Sequence, residues 1–176
     1  MNRRGCPKKI IAVYESEGRS ADILRSILGL CGREECFSVF SQGTLSPESP
    51  PAVCLLCAQT EREALPPGRP VCAAEYGLTS NLDPSAFSQI ITYSMTEDGA
   101  DFTVRNIRTA RDSSVAFEMV GIGIIGRVRL RSEDPVDAVS ALAAFAAAVG
   151  AGVPFADALE ALNRIDFALI RPTAEL

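Results

Sequence analysis

Six consecutive residues near the start of the chain have the types and spacing of a loop that could hold a phosphate. They follow the apolar run that ends at Tyr14, and they are Glu15, Ser16, Glu17, Gly18, Arg19 and Ser20. A helix that begins here would present free backbone N–H groups and the positive end of its dipole, and both favour an anion. A working loop of this kind also needs glycines, a lysine for the β- and γ-phosphates, and a Ser or Thr hydroxyl for Mg²⁺.

Only part of that set is present. Gly18 and Ser20 stand where such a loop has a glycine and the metal-binding hydroxyl, but Arg19 replaces the lysine and Glu15 replaces the first glycine. A carboxylate about 4 Å from a phosphate charge costs on the order of 4 kcal/mol at an effective dielectric constant of about 20. We therefore interpret residues 15–20 as a vestigial phosphate loop, in which Glu15 or Glu17 caps the helix. No cofactor is expected, and ATP with Mg²⁺ is the alternative.

The cysteines and the missing histidine limit the remaining chemistry. Six cysteines and no histidine leave no Ser-His or Cys-His nucleophile pair, so no catalytic residue is predicted. Cys54 and Cys57 form a C-x₂-C pair, and Cys31 and Cys36 form a C-x₄-C pair, which on spacing alone could suit zinc. Positions three apart on one strand face opposite sides, so Cys54 and Cys57 predict buried structural thiols rather than a metal site.

Length and charge define the class of protein. The chain has 176 residues, of which 47% are apolar and 22% charged, and this predicts a single globular domain over residues 1–176. Seventeen basic and 22 acidic residues leave a net charge of −5, which argues against nucleic acid or an anionic membrane as the main partner. Free thiols without a targeting signal or membrane span predict a reducing cytoplasm.

The first half of the chain alternates between predicted strands and helices. The predicted strands are 9–14, 36–40, 52–57 and 70–74, and the predicted helices are 20–30 and 59–65. Prolines and serines make residues 41–51 a loop. A β-then-α rhythm implies a parallel sheet with right-handed crossovers.

The second half predicts an antiparallel meander followed by two helices. Its predicted strands are 89–95, 101–108, 115–120 and 127–131, with hairpin turns at 97–99 and 111–114. Asp134 as N-cap and Pro135 open a helix over 135–149, and a second helix covers 154–165. The apolar stripe of the first helix is predicted at Val136, Val139, Leu142, Ala143, Ala146 and Val149. Residues 167–170 are a candidate edge strand.

These segments, taken together, resemble the Mur ligase family. Residues 11–22 align without gaps with that family's strand and phosphate loop, I-A-V-T-G-T-N-G-K-T-T-T. Residues 90–130 are similar to its central-domain meander, and residues 140–162 are similar to its H-N-V-Y-N-A-L-A-A helix and the helix that follows. Because the pieces occur in the family's order, the resemblance implies a three-layer, P-loop-like central domain with a mostly parallel sheet and an antiparallel extension.

The family couples ATP hydrolysis to amide-bond formation in peptidoglycan- or folate-type substrates, and this chain departs from its pattern at most chemical positions. Besides Glu15 and Arg19, Val136-Asp137 replaces the family's His-Asn and Ser140 replaces its second Asn. An arginine fork cannot stand in for a compact lysine ammonium without rearrangement. The middle segment is too short for the family's usual catalytic Glu and Lys segments, and its flanking domains are expected to be absent.

We therefore predict a degenerate, truncated Mur-ligase-like domain that is not an enzyme. It would act through a protein partner or self-association, and a link to cell-wall metabolism follows from the resemblance alone. Two alternatives stay open. One is an ATP-binding subunit of an amide-bond ligase completed by a partner chain, and the other is a small-ligand binder that uses the former nucleotide cleft.

Overall fold

The computed structural model describes residues 7–15, 19–41, 50–57, 68–112, 114–132 and 134–170. Their eight strands are β1 (Lys9–Tyr14), β2 (Phe37–Ser41), β3 (Val53–Leu56), β4 (Val71–Glu75), β5 (Gln89–Ser94), β6 (Phe102–Thr109), β7 (Val115–Gly121) and β8 (Ile124–Leu130). Their α-helices are α1 (Ser20–Leu30), α2 (Pro135–Gly150) and α3 (Phe155–Arg164). Two short 3₁₀ helices cover Tyr76–Asn81 and Pro84–Ala86.

The eight described strands form one sheet in the order β2-β1-β3-β4-β5-β6-β7-β8. The pairs from β2 through β6 are parallel. β7 is antiparallel to β6, and β8 is antiparallel to β7, so these three strands form a meander at one edge. This sheet confirms the predicted α/β class, mostly parallel with an antiparallel extension.

The parallel strands are buried on both faces because their side chains alternate between two clusters. On one face, Ile11, Val13 and Leu55 are fully buried in the main core with α1, α2 and α3. On the other face, Ala12 and Cys54 join a smaller cluster that includes Phe87 beside the second 3₁₀ helix. A strand covered on both sides is apolar along its buried length, which is how β3 and residues 10–14 of β1 read in the sequence.

Helix α1 packs its apolar side on the sheet and on α2. Ile23, Leu24 and Ile27 are fully buried, as their helical spacing predicts. The helix ends as expected: Gly32 has a φ of 65°, and its N–H donates to the Gly29 carbonyl at 3.0 Å.

The prediction of an antiparallel meander is wrong for its first strand, residues 89–95. β5 and β6 pair in parallel, with Tyr93 opposite Phe102 and Ser94 opposite Thr103, so residues 97–99 do not form a hairpin turn. The short connection suffices because β6 begins beside the last residues of β5, and the chain does not have to return along the whole strand. A second difference concerns the bounds of β8: the strand predicted at 127–131 covers Ile124–Leu130.

Two further predictions fail near the end of the chain. Residues 167–170 form a turn rather than an edge strand, with the Leu169 N–H donating to the Asp166 carbonyl at 3.1 Å. In α2, Val136 and Val139 are 52% and 45% exposed instead of facing the core. Alanines on nearly every side of α2 are buried, so its hydrophobicity does not identify a single inward face.

Some predictions fall outside the described residues. They are most of the 41–51 loop and the whole of the helix predicted at 59–65. Among the helices that the structure describes, none has the length and hydrophobicity needed to cross a bilayer.

Candidate functional site

The candidate site lies where β1 ends and α1 begins. β1 has a parallel neighbour on each side, β2 and β3, and α1 follows β1 towards β2. The carboxyl ends of two such strands, whose connections leave in opposite directions, form the crevice where open α/β sheets usually bind ligands. Glu15, Ser20 and Cys57 lie at this crevice, Glu15 after β1 and Cys57 after β3.

The carboxylate of Glu15 occupies the N-terminus of α1. Its Oε2 accepts a hydrogen bond from the Ser20 N–H at 3.2 Å, and its Oε1 accepts one from the Ala21 N–H at 3.1 Å. A bound phosphate would accept hydrogen bonds from these same N–H groups, since the first turn of a helix has no internal acceptors for them. Arg19, which precedes the helix, contributes no side-chain bond to this turn. The structure thus has Glu15 in the capping position that the sequence hypothesis describes.

The guanidinium of Arg19 points away from this turn and binds Asp137 on α2. Its Nε donates to Asp137 Oδ1 at 2.8 Å and its Nη2 donates to Oδ2, a two-bond fork. Its Nη1 donates to the carbonyls of Ile170 at 2.9 Å and Phe167 at 3.4 Å. The guanidinium carbon also lies 5.8 Å from the centre of the Phe167 ring. All three guanidinium nitrogens are therefore engaged within the protein.

Asp137 is the centre of a small buried network. Its side chain is 2% exposed, compared with 21% for that of Arg19, and its Oδ2 also accepts a bond from the Ser132 hydroxyl. Ser140, one turn further along α2, accepts a hydrogen bond from the backbone N–H of Arg19 at 3.3 Å. Burial of a carboxylate is unfavourable unless it is paired with a cation and hydrogen-bonded, and Asp137 has both kinds of partner.

The sequence analysis named Arg19, Asp137 and Ser140 only as departures from the family pattern and did not predict that they contact one another. Asp137 lies in the first turn of α2, where a carboxylate also interacts favourably with the helix dipole. The available signal was that an arginine replaces the loop lysine while an aspartate replaces a neutral asparagine, two changes whose charges are complementary. The two residues are 118 positions apart, so no local rule links them.

Ser20 is not placed to face open solvent. It is 2% exposed, and its hydroxyl lies 4.0 Å from the sulfur of Cys57. Among the residues that the structure describes, no cluster of three or more Cys, Asp or Glu side chains could hold a metal ion. Ser16, Glu17 and Gly18 lie outside the described residues. The vestigial-loop interpretation of residues 15–20 stays a prediction.

The cysteines of β3 and β4 are protonated thiols at neutral pH. Burial raises the pKa of Cys54 and of Cys72 to about 12. Burial, with a smaller contribution from the Glu15 charge, raises the pKa of Cys57 to about 11. Cys54 packs in the smaller cluster and Cys57 against the main core, on opposite faces of the sheet as predicted. Thiols with raised pKa values are poor nucleophiles. Cys54 and Cys57, on opposite faces of the sheet, are also not placed to bind one metal ion together.

The other cysteine pair, Cys31 and Cys36, is more exposed. Cys31 is partly exposed beside the main core, and burial raises the pKa of its thiol. Cys36 is exposed at the start of β2. These two residues therefore do not form the same kind of buried thiol as Cys54 and Cys72.

Comparison with known proteins gives the fold a name. No protein-family profile and no curated protein sequence matches the chain. MurF of Acinetobacter baumannii is similar in structure, with a TM-score of 0.68 and 19% identity over 93% of this chain and 47% of that one. The murein peptide ligase Mpl of Psychrobacter arcticus gives 0.68 and 14% over 89% and 47%. MurF of Thermotoga maritima, in complex with ADP, gives 0.60 and 11% over 86% and 48%.

These matches confirm the predicted resemblance at the level of fold. The identities are low, and the chain spans about half the length of the three ligases, 47–48% of each. The shared fold extends over nearly the whole of this chain, 86–93% of it. The chain is therefore a Mur-ligase-like α/β domain.

Proposed function

We propose that this chain is a non-catalytic Mur-ligase-like domain that does not use ATP and acts by binding another protein. The observation that carries the proposal is the Glu15 carboxylate on the N–H groups of Ser20 and Ala21. It supplies the negative charge that the helix N-terminus attracts, and it does so from within the chain.

Electrostatics supports the loss of nucleotide binding. A phosphate that approached the same N–H groups would lie about 4 Å from Glu15, with a repulsion on the order of 4 kcal/mol at an effective dielectric constant of about 20. That repulsion corresponds to roughly a thousandfold loss of affinity. Moving Glu15 away instead would break its two hydrogen bonds to the helix.

Arg19 does not offset this repulsion. Its guanidinium would have to leave the Asp137 carboxylate and the Ile170 carbonyl to reach a phosphate. Withdrawing it would leave the Asp137 carboxylate, which is 2% exposed, without its cation. Leaving a buried charge unpaired costs about 3–5 kcal/mol.

The similar structures and the free thiols support a setting for the protein. The similar structures include a murein peptide ligase, so we place the domain near cell-wall metabolism by analogy. The five cysteines that the structure describes are all free thiols, which supports a reducing compartment such as the cytoplasm.

Isothermal titration calorimetry with Mg-ATP tests the nucleotide part of the proposal. We expect no binding heat for the wild type up to about 1 mM nucleotide, a concentration that would reveal even a weak site. The matched variant Glu15→Gly/Arg19→Lys/Asp137→Asn restores the residues of the family pattern at three positions. Micromolar binding by the wild type would refute the proposal and favour the ligase-subunit alternative.

Native mass spectrometry of the freshly purified protein tests the small-ligand alternative. We expect the mass of the bare chain. A stoichiometric adduct that survives buffer exchange, and that the variant Ser20→Trp in the crevice removes, would instead show that the former cleft holds a ligand other than a nucleotide.

A further inference from the structure

The solvent face of the meander carries a concentrated positive charge that the proposed function does not yet use. We propose that this arginine face, formed by Arg105, Arg108, Arg127 and Arg129, is the docking surface for an acidic segment of a partner protein. This inference rests on the proposed function in its protein-binding part only, and it is independent of the nucleotide argument.

Strand register brings the four arginines onto one face. Arg105 lies opposite Glu118 on β7, and Glu118 lies opposite Arg127 on β8. One row along, Arg108 and Arg129 flank Ala116. A bulge in β6 between Arg105 and Arg108 keeps both arginines in line with outward positions of β7.

The small side chain of Ala116 leaves a depression between Arg108 and Arg129. The depression has a volume of about 180 Å³, and Glu118 and Arg127 also line it. Neighbouring strands lie about 4.8 Å apart, so arginines on β6 and β8 are separated by roughly 10 Å, a span that several carboxylates of one extended segment can bridge.

Two of the four guanidiniums have no carboxylate partner among the described residues. Arg105 pairs with Asp98 at 3.0 Å and Arg129 with Asp112 at 2.7 Å, whereas Arg108 and Arg127 pair with none. The two existing pairs are solvent-exposed, and exposed pairs contribute about 0–1 kcal/mol, so an incoming carboxylate can replace them.

The charge of this region is opposite to that of the rest of the chain. Residues 102–131 contain six arginines, no lysine and two acidic residues, a net charge of +4. The remaining residues contain eleven basic and twenty acidic residues, a net charge of −9. A local field of this sign attracts an acidic partner, and the arginine fork binds carboxylates through paired hydrogen bonds.

Exposed isoleucines extend the arginine face at one end. Ile125 alternates along β8 with Arg127 and Arg129, so it lies on the same face, and it is 64% exposed. Ile122 at the tip of the β7–β8 hairpin is 84% exposed. Arginines beside apolar side chains are typical of protein-binding surfaces, and none of these residues offers the aromatic stacking that single-stranded nucleic acid uses. The expected partner segment therefore carries carboxylates next to apolar residues.

The probe for this surface is a phage-displayed library of random peptides, selected on the full-length wild-type protein. We expect the selected peptides to be enriched in Asp and Glu relative to the unselected library. Labelled selected peptides should bind the variant Arg108→Glu/Arg129→Glu at least about tenfold more weakly in fluorescence anisotropy. The control variant Arg33→Glu, at an exposed arginine outside the meander, should bind like the wild type.

Each contrary result has a distinct meaning. Selected peptides without acidic enrichment, or equal binding by Arg108→Glu/Arg129→Glu, would overturn the proposal. Tighter binding of an oligothymidylate than of the peptides would overturn it in favour of nucleic acid. Sedimentation that shows a dimer lost in Arg108→Glu/Arg129→Glu would overturn it in favour of a second copy. None of these results bears on Mg-ATP calorimetry, so the two proposals fail separately.

Discussion

Two carboxylates occupy the crevice where β1 ends, and they bind different groups. Glu15 accepts hydrogen bonds from the first N–H groups of α1, and Asp137 pairs with the guanidinium of Arg19. The helix N-terminus thus has an anion from within the chain, and the arginine beside it has an internal partner.

Removing Asp137 should destabilise the protein much more than removing an exposed carboxylate. For Asp137→Ala we expect a loss of about 2–4 kcal/mol in the free energy of unfolding, because Arg19 loses its partner in a largely buried place. The control Glu160→Ala breaks the exposed pair with Arg164 on α3 and should cost about 0.5 kcal/mol or less. Urea unfolding followed by circular dichroism measures both.

A loss for Asp137→Ala no larger than for Glu160→Ala would contradict the account of Arg19 as a structurally committed side chain. The double variant Arg19→Met/Asp137→Leu adds a second check. Because neither charge remains buried in it, we expect it to be more stable than Asp137→Ala.

The sequence predicted a capping carboxylate, with Glu15 and Glu17 as the two options, and did not predict the partnership of Arg19. Glu15 is five residues from Ser20, so the chemistry of one turn and one helix end suffices to predict a cap here but not to choose between the two residues. Arg19 and Asp137 come together only through the packing of α1 against α2. Pattern reasoning within one segment does not reach across that packing.

The strands and helices followed local periodicity closely, and the errors came from pairing and orientation. β1 and α1 begin and end where the sequence predicts. The parallel pairing of β5 with β6 was missed because a short connection usually joins antiparallel strands. Val136 and Val139 were assigned to the core because α2 is apolar on nearly all sides, and tertiary packing alone selects its buried faces.

The edge of the sheet at β8 is covered by one side chain of α3. Asn163 donates from Nδ2 to the Arg127 carbonyl at 3.0 Å and accepts from the Arg129 N–H at 2.9 Å, as a neighbouring strand would. An uncovered edge strand pairs readily with another chain. Asn163 therefore protects the end of the meander that carries the arginine face.

Replacing Asn163 should expose that edge. For Asn163→Ala we expect a loss of about 1 kcal/mol in stability and a concentration-dependent increase in apparent mass in light scattering. The control Glu160→Ala lies on the same helix and should stay monodisperse under the same conditions. If Asn163→Ala scatters light no more than this control does, the edge needs no such cover.

Because of its buried thiols, the protein should lose stability as the pH rises into the alkaline range. Cys54 and Cys72 have pKa values of about 12 in the folded state, compared with an ordinary value of 9.0. Below pH 9 both states hold the thiol protons. Above it only the unfolded state releases them, so stability falls as pH rises, by up to about 1.4 kcal/mol per pH unit for each thiol.

Chemical denaturation between pH 8 and about pH 10.5 measures this effect. The control Cys54→Ala/Cys72→Ala retains every other titrating group, so its stability should fall less steeply than that of the wild type. Parallel curves for the two proteins would show that these thiols ionise freely in the folded state, contrary to their burial.

The distribution of charge gives the molecule two separate regions. One is the crevice at β1, where internal partners satisfy the charges of Glu15 and Arg19. The other is the meander, where Arg108 and Arg127 have no carboxylate partner among the described residues. The charges of the first region are paired within the protein, and the arginines of the second are available to the acidic segment proposed above.

A crystal structure of the protein grown with Mg-ATP tests the central claim most directly. We predict electron density for the Glu15 carboxylate on the Ser20 and Ala21 N–H groups and none for a triphosphate beside them. Phosphate oxygens in place of Glu15 on those two N–H groups would contradict the account.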